Sequence, residues 1–244
     1  MPKTDVCIVA SRRPDLLSPT LNSLSQRMLN NFEIATVYLN LDPIFGDESD
    51  HAACIALFRN TFPHGVVFEP ETPGFTAAVQ RLWSATTAEF VVHLEDDWIA
   101  LTEIGMEAFA PFGDPAVSQV SFHTAEKNWD VRKEGHLHQK REYFKLLGIR
   151  IPTPRKTPYF TTSPSILRGD FARRAAELMD VTKDPEKQFY SGVNPLLQAY
   201  VATRRNYIFS PENKPVIADI GRDWRSERGI QKNIRNSTSV WEKG

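Results

Sequence analysis

The sequence predicts an α/β fold, a mainly parallel central sheet with helices on both faces, and three observations carry that expectation. Short runs of β-formers alternate with segments of helical apolar spacing through the first hundred residues, the pattern of successive β-turn-α units. The 244 residues, 41 % hydrophobic and 24 % charged, suit one domain with a real core. The best-defined apolar run, residues 90–94, ends in three successive carboxylates, Glu95, Asp96 and Asp97, followed by Trp98. A buried strand reads this way where its C-terminal end reaches the edge of a sheet.

Taken in order, residues 5–10 (DVCIVA) are the first strand. The turn Ser11-Arg12-Arg13-Pro14 leads into a helix over 15–28, in which Leu16, Leu17, Leu21, Leu24 and Met28 fall near helical spacing. Residues 32–41 (FEIATVYLNL) are a second strand, closed by Asp42-Pro43 and a polar loop through Asp50. A short helix over 52–62 and a third strand over 66–69 follow. Thr72-Pro73-Gly74 then turns the chain into a helix over 75–86 with Ala78, Leu82 and Trp83 inward, and the strand ending in the acidic triplet comes next. Residues 116–122 form another strand. From 127 to 160 the chain is basic, polar and Pro-bearing with weak periodicity, which predicts a long excursion over the site rather than regular elements. Residues 165–168 return to the sheet, 171–179 and 193–203 are helices, 207–209 and 216–217 are short apolar runs, and the tail from Arg222 is charged.

Three adjacent carboxylates repel one another unless they are solvated or neutralised by a cation, so Mg²⁺ or Mn²⁺ carrying substrate phosphates is a natural occupant of the triplet. The competing reading is a solvated acidic turn. The net charge of −1 conceals a division: residues 1–126 hold 6 Lys+Arg against 17 Asp+Glu, and residues 127–244 hold 23 against 13. A cation-holding part and an anion-holding part of one domain follow, unless the halves fold together and neutralise each other. Cys7 and Cys54 form no paired motif and read as buried thiols. No stretch has the roughly 20 apolar residues that span a bilayer and the N-terminus lacks a signal-peptide layout, so a cytoplasmic protein is expected. The six histidines lack metal-ligand spacing. P-loop, GxSxG and GxGxxG motifs are absent.

Four stretches together resemble the glycosyltransferases of the GT-A fold, family-2 type: VCIVASRRPDLLSPTLNSL, FEIATVYLNLDP, ETPGFTAAVQRLWSATTAEFVVHLEDDW and SPSILRGDFARR. They cover residues 5–100 closely and 160–200 loosely. The resemblance implies a GT-A-like (Rossmann-like) fold with an acceptor-side C-terminal part. Residues 1–126 would bind nucleotide-sugar and metal, and 127–244 would bind the acceptor and cover the phosphates. It implies Mn²⁺ or Mg²⁺ at Asp97, with Glu95 facing ribose or sugar and Asp96 open to either purpose. Ser11 matches the position beside base and ribose, and Asn40 or Asp42 the base reader, although this chain has Asn-Leu-Asp-Pro where the family has an Asp-Gly-Ser-like turn. Arg81, Arg12 and Arg13 reach phosphate or are solvated. For an inverting transfer the base would be Asp184 or Glu186, with Asp170 as an outsider; Asp184-Pro185 also suits a helix N-terminus. The closing Arg222, Trp224 and Arg225, with Arg228 and Lys232, would cover the diphosphate, and Asp219 would replace the family's late His ligand, since no His follows His138. The competing reading there is a surface helix with charge pairs.

The donor expected is a UDP- or GDP-sugar, and the acceptor is open between a saccharide, a protein, a lipid and a nucleic-acid base. Two other classes stand beside this one. A nucleotidyltransferase of similar fold usually has a Gly-rich loop after the first strand, where this chain has Ser-Arg-Arg-Pro. A non-catalytic nucleic-acid-binding protein would use the basic half with Trp129, Tyr143, Phe144, Tyr159 and Trp224, and DNA as acceptor would join that reading to the first.

Overall fold

The computed structural model describes residues 2–126, 129–146, 149–190, 192–235 and 238–243. In chain order the elements are β1 (Lys3–Ser11), α1 (Pro14–Arg27), β2 (Glu33–Asp42), α2 (Glu48–Thr61), β3 (Val66–Phe68), α3 (Phe75–Ala85), β4 (Phe90–Glu95), β5 (Trp98–Ala100), β6 (Val117–Phe122), α4 (Val131–Glu134), β7 (Gln139–Leu146), β8 (Ile149–Pro158), β9 (Ser165–Arg168), α5 (Gly169–Leu178), α6 (Pro195–Val201), β10 (Arg205–Phe209), β11 (Ile217–Asp219), α7 (Gly221–Glu227), β12 (Ile230–Arg235) and β13 (Thr238–Lys243).

Seven strands form the central sheet in the order β10-β6-β9-β4-β1-β2-β3. β1 lies parallel to β2 and β4, β2 to β3, and β6 to β10, while β9 runs antiparallel between β4 and β6. The C-terminal ends of β1, β2, β4 and β6 therefore share one edge, the edge where ligands sit in open α/β sheets. Both faces are covered. Val6, Ile8 and Ala10 of β1 pack on the side of Leu17, Leu24 and Phe58, and Cys7 and Val9 on the side of Leu82, Trp83 and Phe171, the two-residue alternation of a strand read on its two faces. Each large apolar side chain so buried contributes about 1.5–3 kcal/mol. Cys7 and Cys54 are buried free thiols, and burial pushes both up in pKa. The sheet takes β9 and β10 from the basic half of the chain, so acidic and basic halves fold into one sheet.

Three segments depart from expectation. Helix α2 begins at Glu48, inside what reads as a polar loop, because Asp47 and Asp50 make a capping box that closes the first turn. The 127–160 excursion contains α4 and the antiparallel hairpin of β7 and β8. A two-stranded ribbon outside the central sheet, interrupted by Pro152 and Pro154, shows little alternation to read. In the tail, β12 and β13 form a second hairpin after α7. A further small pairing escaped the sequence: β11 pairs antiparallel with β5, with Asp219 opposite Trp98. Among the described residues, no helix is long and apolar enough to cross a membrane.

Candidate active site

The end of β4 delivers its three carboxylates to different surroundings, because successive strand residues face opposite sides. Asp96 is 2 % exposed and is fully engaged. Its Oδ2 accepts from the Ser11 backbone N–H (2.8 Å) and Oγ (3.1 Å), and its Oδ1 accepts from Arg13 Nη2 (2.5 Å). Thr20 also donates to the Asp96 carbonyl oxygen. Asp97, 4 % exposed, meets Arg13 Nη2 at 3.2 Å and Arg225 Nη1 at 3.0 Å through Oδ2. Burial, and then the Asp96 charge, push Asp97 up to about 6, against the pull of Arg13 and Arg225. For Arg13 burial works against the charge, but Asp96 and Asp97 outweigh it and hold the guanidinium ionised, above its ordinary range. Its flat face is braced by Phe45 and Trp224, 5.4 and 5.3 Å from the ring centroids.

These groups line a cavity of about 450 Å³ at the shared strand edge, together with Ser11, Asp42, Phe45, Gly74, Phe75, Glu95, Asp219 and Arg225. Glu95 is half-buried there. Asp42 is fixed by the Gly74 N–H on Oδ2 (2.9 Å) and by Asn40 Nδ2 on Oδ1 (2.8 Å). Burial raises its pKa, against those two hydrogen bonds and the Arg81 charge. Phe45 has φ of 77°, a conformation that bulky side chains rarely adopt and that folded proteins retain mostly at functional sites.

The pairing of β11 with β5 sets Asp219 beside Asp97. Arg225 of α7 spans the two, its Nη1 on Asp97 and its Nη2 3.3 Å from Asp219 Oδ2. One cationic group thus reaches both carboxylates from within the cavity. That donor set fits Mg²⁺ or Mn²⁺, which take one or two protein carboxylates and complete their octahedron with phosphate and water. Among the described residues no group of three or more His, Cys, Asp or Glu is gathered to hold an ion by protein alone, so the remaining ligands would come from substrate and solvent.

Of the residues named from the sequence, Ser11, Asp42, Glu95, Asp96, Asp97, Asp219 and Arg225 converge on this cavity. Others do not. Asn40 is fully buried beneath Asp42, and Arg81 donates to Asn40 Oδ1 rather than reaching into the cavity. Arg12 pairs with Glu48 at 2.7 Å; its neighbour Arg13 is the arginine that lines the site. Trp224 gives its Nε1–H to Asp15 at 2.6 Å and packs on Arg13. Arg222 is exposed and pairs with Asp219 at 3.0 Å. The α7 segment is thus the charge-paired helix that the sequence also allowed, with Arg225 as its inward member. The Lys232 and Phe144 side chains lie outside the described residues.

The acceptor-side acids separate by sheet direction. Because β9 is antiparallel to β4, Arg168 lies opposite Phe90, at the far end of β4 from Glu95. Asp170 follows directly and is about 17 Å of strand from the triplet, which takes it out of reach as a base. Helix α5 then brings the chain back, and Thr76, at the start of α3, donates to the Lys183 carbonyl oxygen, so Asp184 and Glu186 return to the functional edge. Asp184 Oδ1 caps the turn after it, accepting from the Glu186 and Lys187 N–H groups at 3.1 Å. Glu186 accepts from Tyr159 Oη (2.7 Å) and Thr161 Oγ1 (3.3 Å). Neither acid lines the 450 Å³ cavity.

No protein-family model matches the chain, and no curated protein matches it by sequence. Solved structures do match in fold. The mannosyltransferase PcManGT of Pyrobaculum calidifontis, in complex with GDP-Man and Mn²⁺, has a TM-score of 0.60 at 14 % identity over 93 % of this chain. S. aureus TarS 1–349 in complex with UDP scores 0.54 at 17 % identity over 88 %. GalNAc-T7 with UDP, GalNAc and Mn²⁺ scores 0.59 at 12 % over 90 %. The matched part is 60 %, 60 % and 44 % of those three chains. The mainly parallel central sheet with its covering helices and these likenesses agree: the chain has the fold of the GT-A-type glycosyltransferases.

Proposed function

We propose that the chain is a metal-dependent glycosyltransferase that moves a sugar from a UDP- or GDP-sugar to an acceptor hydroxyl, by an inverting displacement. The observation that carries this is the convergence of Asp97 and Asp219 on one cationic position inside a cavity at the parallel strand ends. Asp97 and Asp219 would hold Mn²⁺ or Mg²⁺. Bound there, the ion acts as a Lewis acid that offsets the charge building on the departing diphosphate.

The remaining roles follow from position. Ser11 and Asp42 bind the nucleoside at the ends of β1 and β2. Glu95, half-buried in the cavity, faces ribose or sugar. Asp96 serves the site by holding Ser11 and Arg13 in place. Arg13, ionised and braced, and Arg225, which lines the same cavity, would bind the diphosphate oxygens. On the acceptor side the acceptor oxygen bonds to the anomeric carbon as the bond to the diphosphate breaks, the electron pair leaving with the diphosphate and the hydroxyl proton passing to a carboxylate. Glu186 is assigned that proton, since the Asp184 carboxylate is taken up by capping.

A donor screen tests this reading: UDP- and GDP-sugars are incubated with the chain and Mn²⁺, and released nucleoside diphosphate is measured with candidate acceptors. Expected is release from one nucleotide class, accelerated by an acceptor and lowered 100-fold or more in Glu186→Gln. Release from no donor would refute it.

A further inference from the structure

A second cavity, of about 520 Å³, opens on the same sheet edge beyond the end of β6, among His123, Thr124, Glu126, Trp129, Asp130 and Asn213. It shares a wall with the donor cavity: Glu126 Oε1 accepts the backbone N–H of Asp219 at 2.9 Å, and Asp219 lines the first cavity. Two polar atoms of its wall, Thr124 Oγ1 and Glu126 Oε2, are buried without a hydrogen-bond partner among the described residues. Thr124 is 2 % exposed. Leaving such groups unmet is costly, and a ligand hydroxyl that reaches either of them would relieve that cost.

The wall also carries an aromatic surface. Trp129 is pinned by its Nε1–H on the Gly135 carbonyl oxygen at 3.0 Å. From it a file of half-buried rings continues: Trp129 to His138 at 5.4 Å between centroids, His138 to Tyr159 at 4.7 Å, and Tyr159 to Tyr190 at 4.7 Å. The file ends at Glu186, through the Tyr159 hydroxyl. Rings in series offer apolar faces to a ligand that is polar at its edges. Glu126 and Asp130 at the mouth repel phosphate, which disfavours a nucleic-acid backbone in this cavity.

We propose that this cavity and the ring file are the acceptor site, and that they take a neutral oligosaccharide. Its reacting residue sits at the Glu186 end of the file, and the residues behind it run along the rings to Trp129, where Thr124 and Glu126 meet a hydroxyl. This rests on the sugar-transfer reading and supplies the substrate class that reading leaves open. The rival ligand is a nucleic acid, held by the exposed Lys140, Arg141 and Lys156 of the β7–β8 hairpin.

Saturation-transfer NMR on the 244-residue chain tests it, with neutral trisaccharides of glucose, mannose and N-acetylglucosamine as probes and, separately, single-stranded and duplex oligonucleotides. At least one trisaccharide should receive saturation on its ring-face protons, with binding weakened ten-fold or more in Trp129→Ala. Thr124→Val preserves shape and keeps the test open should the tryptophan variant misfold. It should weaken saccharide binding while raising the melting temperature of the free protein, a pairing that a merely structural threonine would not give. The proposal is overturned if no trisaccharide is saturated, if both variants bind it as the parent does, or if an oligonucleotide displaces it. Calorimetry with UDP and GDP in Mn²⁺ separates the two readings. Nucleotide binding without saccharide contact removes the acceptor assignment alone, and loss of nucleotide binding removes the donor reading on which it stands.

Discussion

Gly221 shows how closely the 450 Å³ cavity is fitted. A Cβ built there would lie 2.1 Å from Asp97 Oδ2 and 2.7 Å from Arg225 Nη1, so Gly221→Ala must push the carboxylate aside. Expected is a ten-fold or larger loss of Mn²⁺-supported nucleotide affinity by calorimetry, with little change in thermal stability. Gly113→Ala, whose Cβ would meet nothing within 4 Å, should change neither. His93 governs a different property. It is fully buried and accepts the Trp83 Nε1–H on Nδ1 at 3.1 Å, and burial pushes it down to about 4 from 6.5, against a smaller pull from the Thr162 backbone. A base kept neutral in the fold but free to protonate when unfolded contributes fully above about pH 6.5, and that contribution is lost as the pH falls toward 4. The gap is worth about 3 kcal/mol. Urea titrations from pH 7 to 4 should therefore fall less steeply for His93→Gln than for the parent; parallel profiles would show that His93 is not the source. At this scale the sequence, read with its family resemblance, marked Asp42, Glu95, Asp97, Asp219 and Arg225, which gather at one cavity, because charge at a strand end or grouped around an aromatic is visible in one dimension. Phe45, Thr124 and Glu126 carried no such mark, since a positive φ and an unmet hydrogen bond exist only once the chain is folded.

Strand β4 organises the functional edge, and its entry is set by a residue far from the chemistry. Asp5 of β1, fully buried, accepts the N–H groups of Thr87 and Ala88 at 2.7 and 2.9 Å, which fixes the turn between α3 and β4. Asp5→Ala leaves one buried donor, the Ala88 N–H, and one part-buried donor, the Thr87 N–H, without their acceptor and should destabilise the protein by about 1–3 kcal/mol in denaturant titration. Nucleotide affinity of the folded fraction should stay near the parent value. A loss below 1 kcal/mol would mean that the turn does not depend on this carboxylate. The first hundred residues were legible because each strand and helix buries one face against the sheet, giving the periodicities of 2 and 3.6 their contrast. The direction of β9 was not legible: Ser165–Arg168 reads equally well either way along the sheet, and that direction is what carries Asp170 to the wrong edge. The hairpin of β7 and β8 and the short β5–β11 pair were hidden for a related reason. They lie outside the central sheet and leave little hydrophobic pattern.

For the whole molecule, the acidic and basic halves of the chain meet at one cavity. The acidic half supplies the ends of β1, β2 and β4 around the 450 Å³ cavity. The basic half returns to it through β11 and α7, bringing Arg225 across Asp97 and Asp219. The two cavities stand on one sheet edge with Glu126 and Asp219 between them, and the proposed transfer places the nucleotide in the first. Isothermal titration of UDP and GDP into the parent chain and Asp97→Asn, each with and without Mn²⁺, addresses that arrangement most directly. Expected is one nucleotide per parent chain, bound at least ten-fold more tightly with Mn²⁺, and loss of that metal-dependent gain in the variant. Failure of both nucleotides to bind in Mn²⁺, or an Asp97→Asn isotherm that matches the parent, would contradict it.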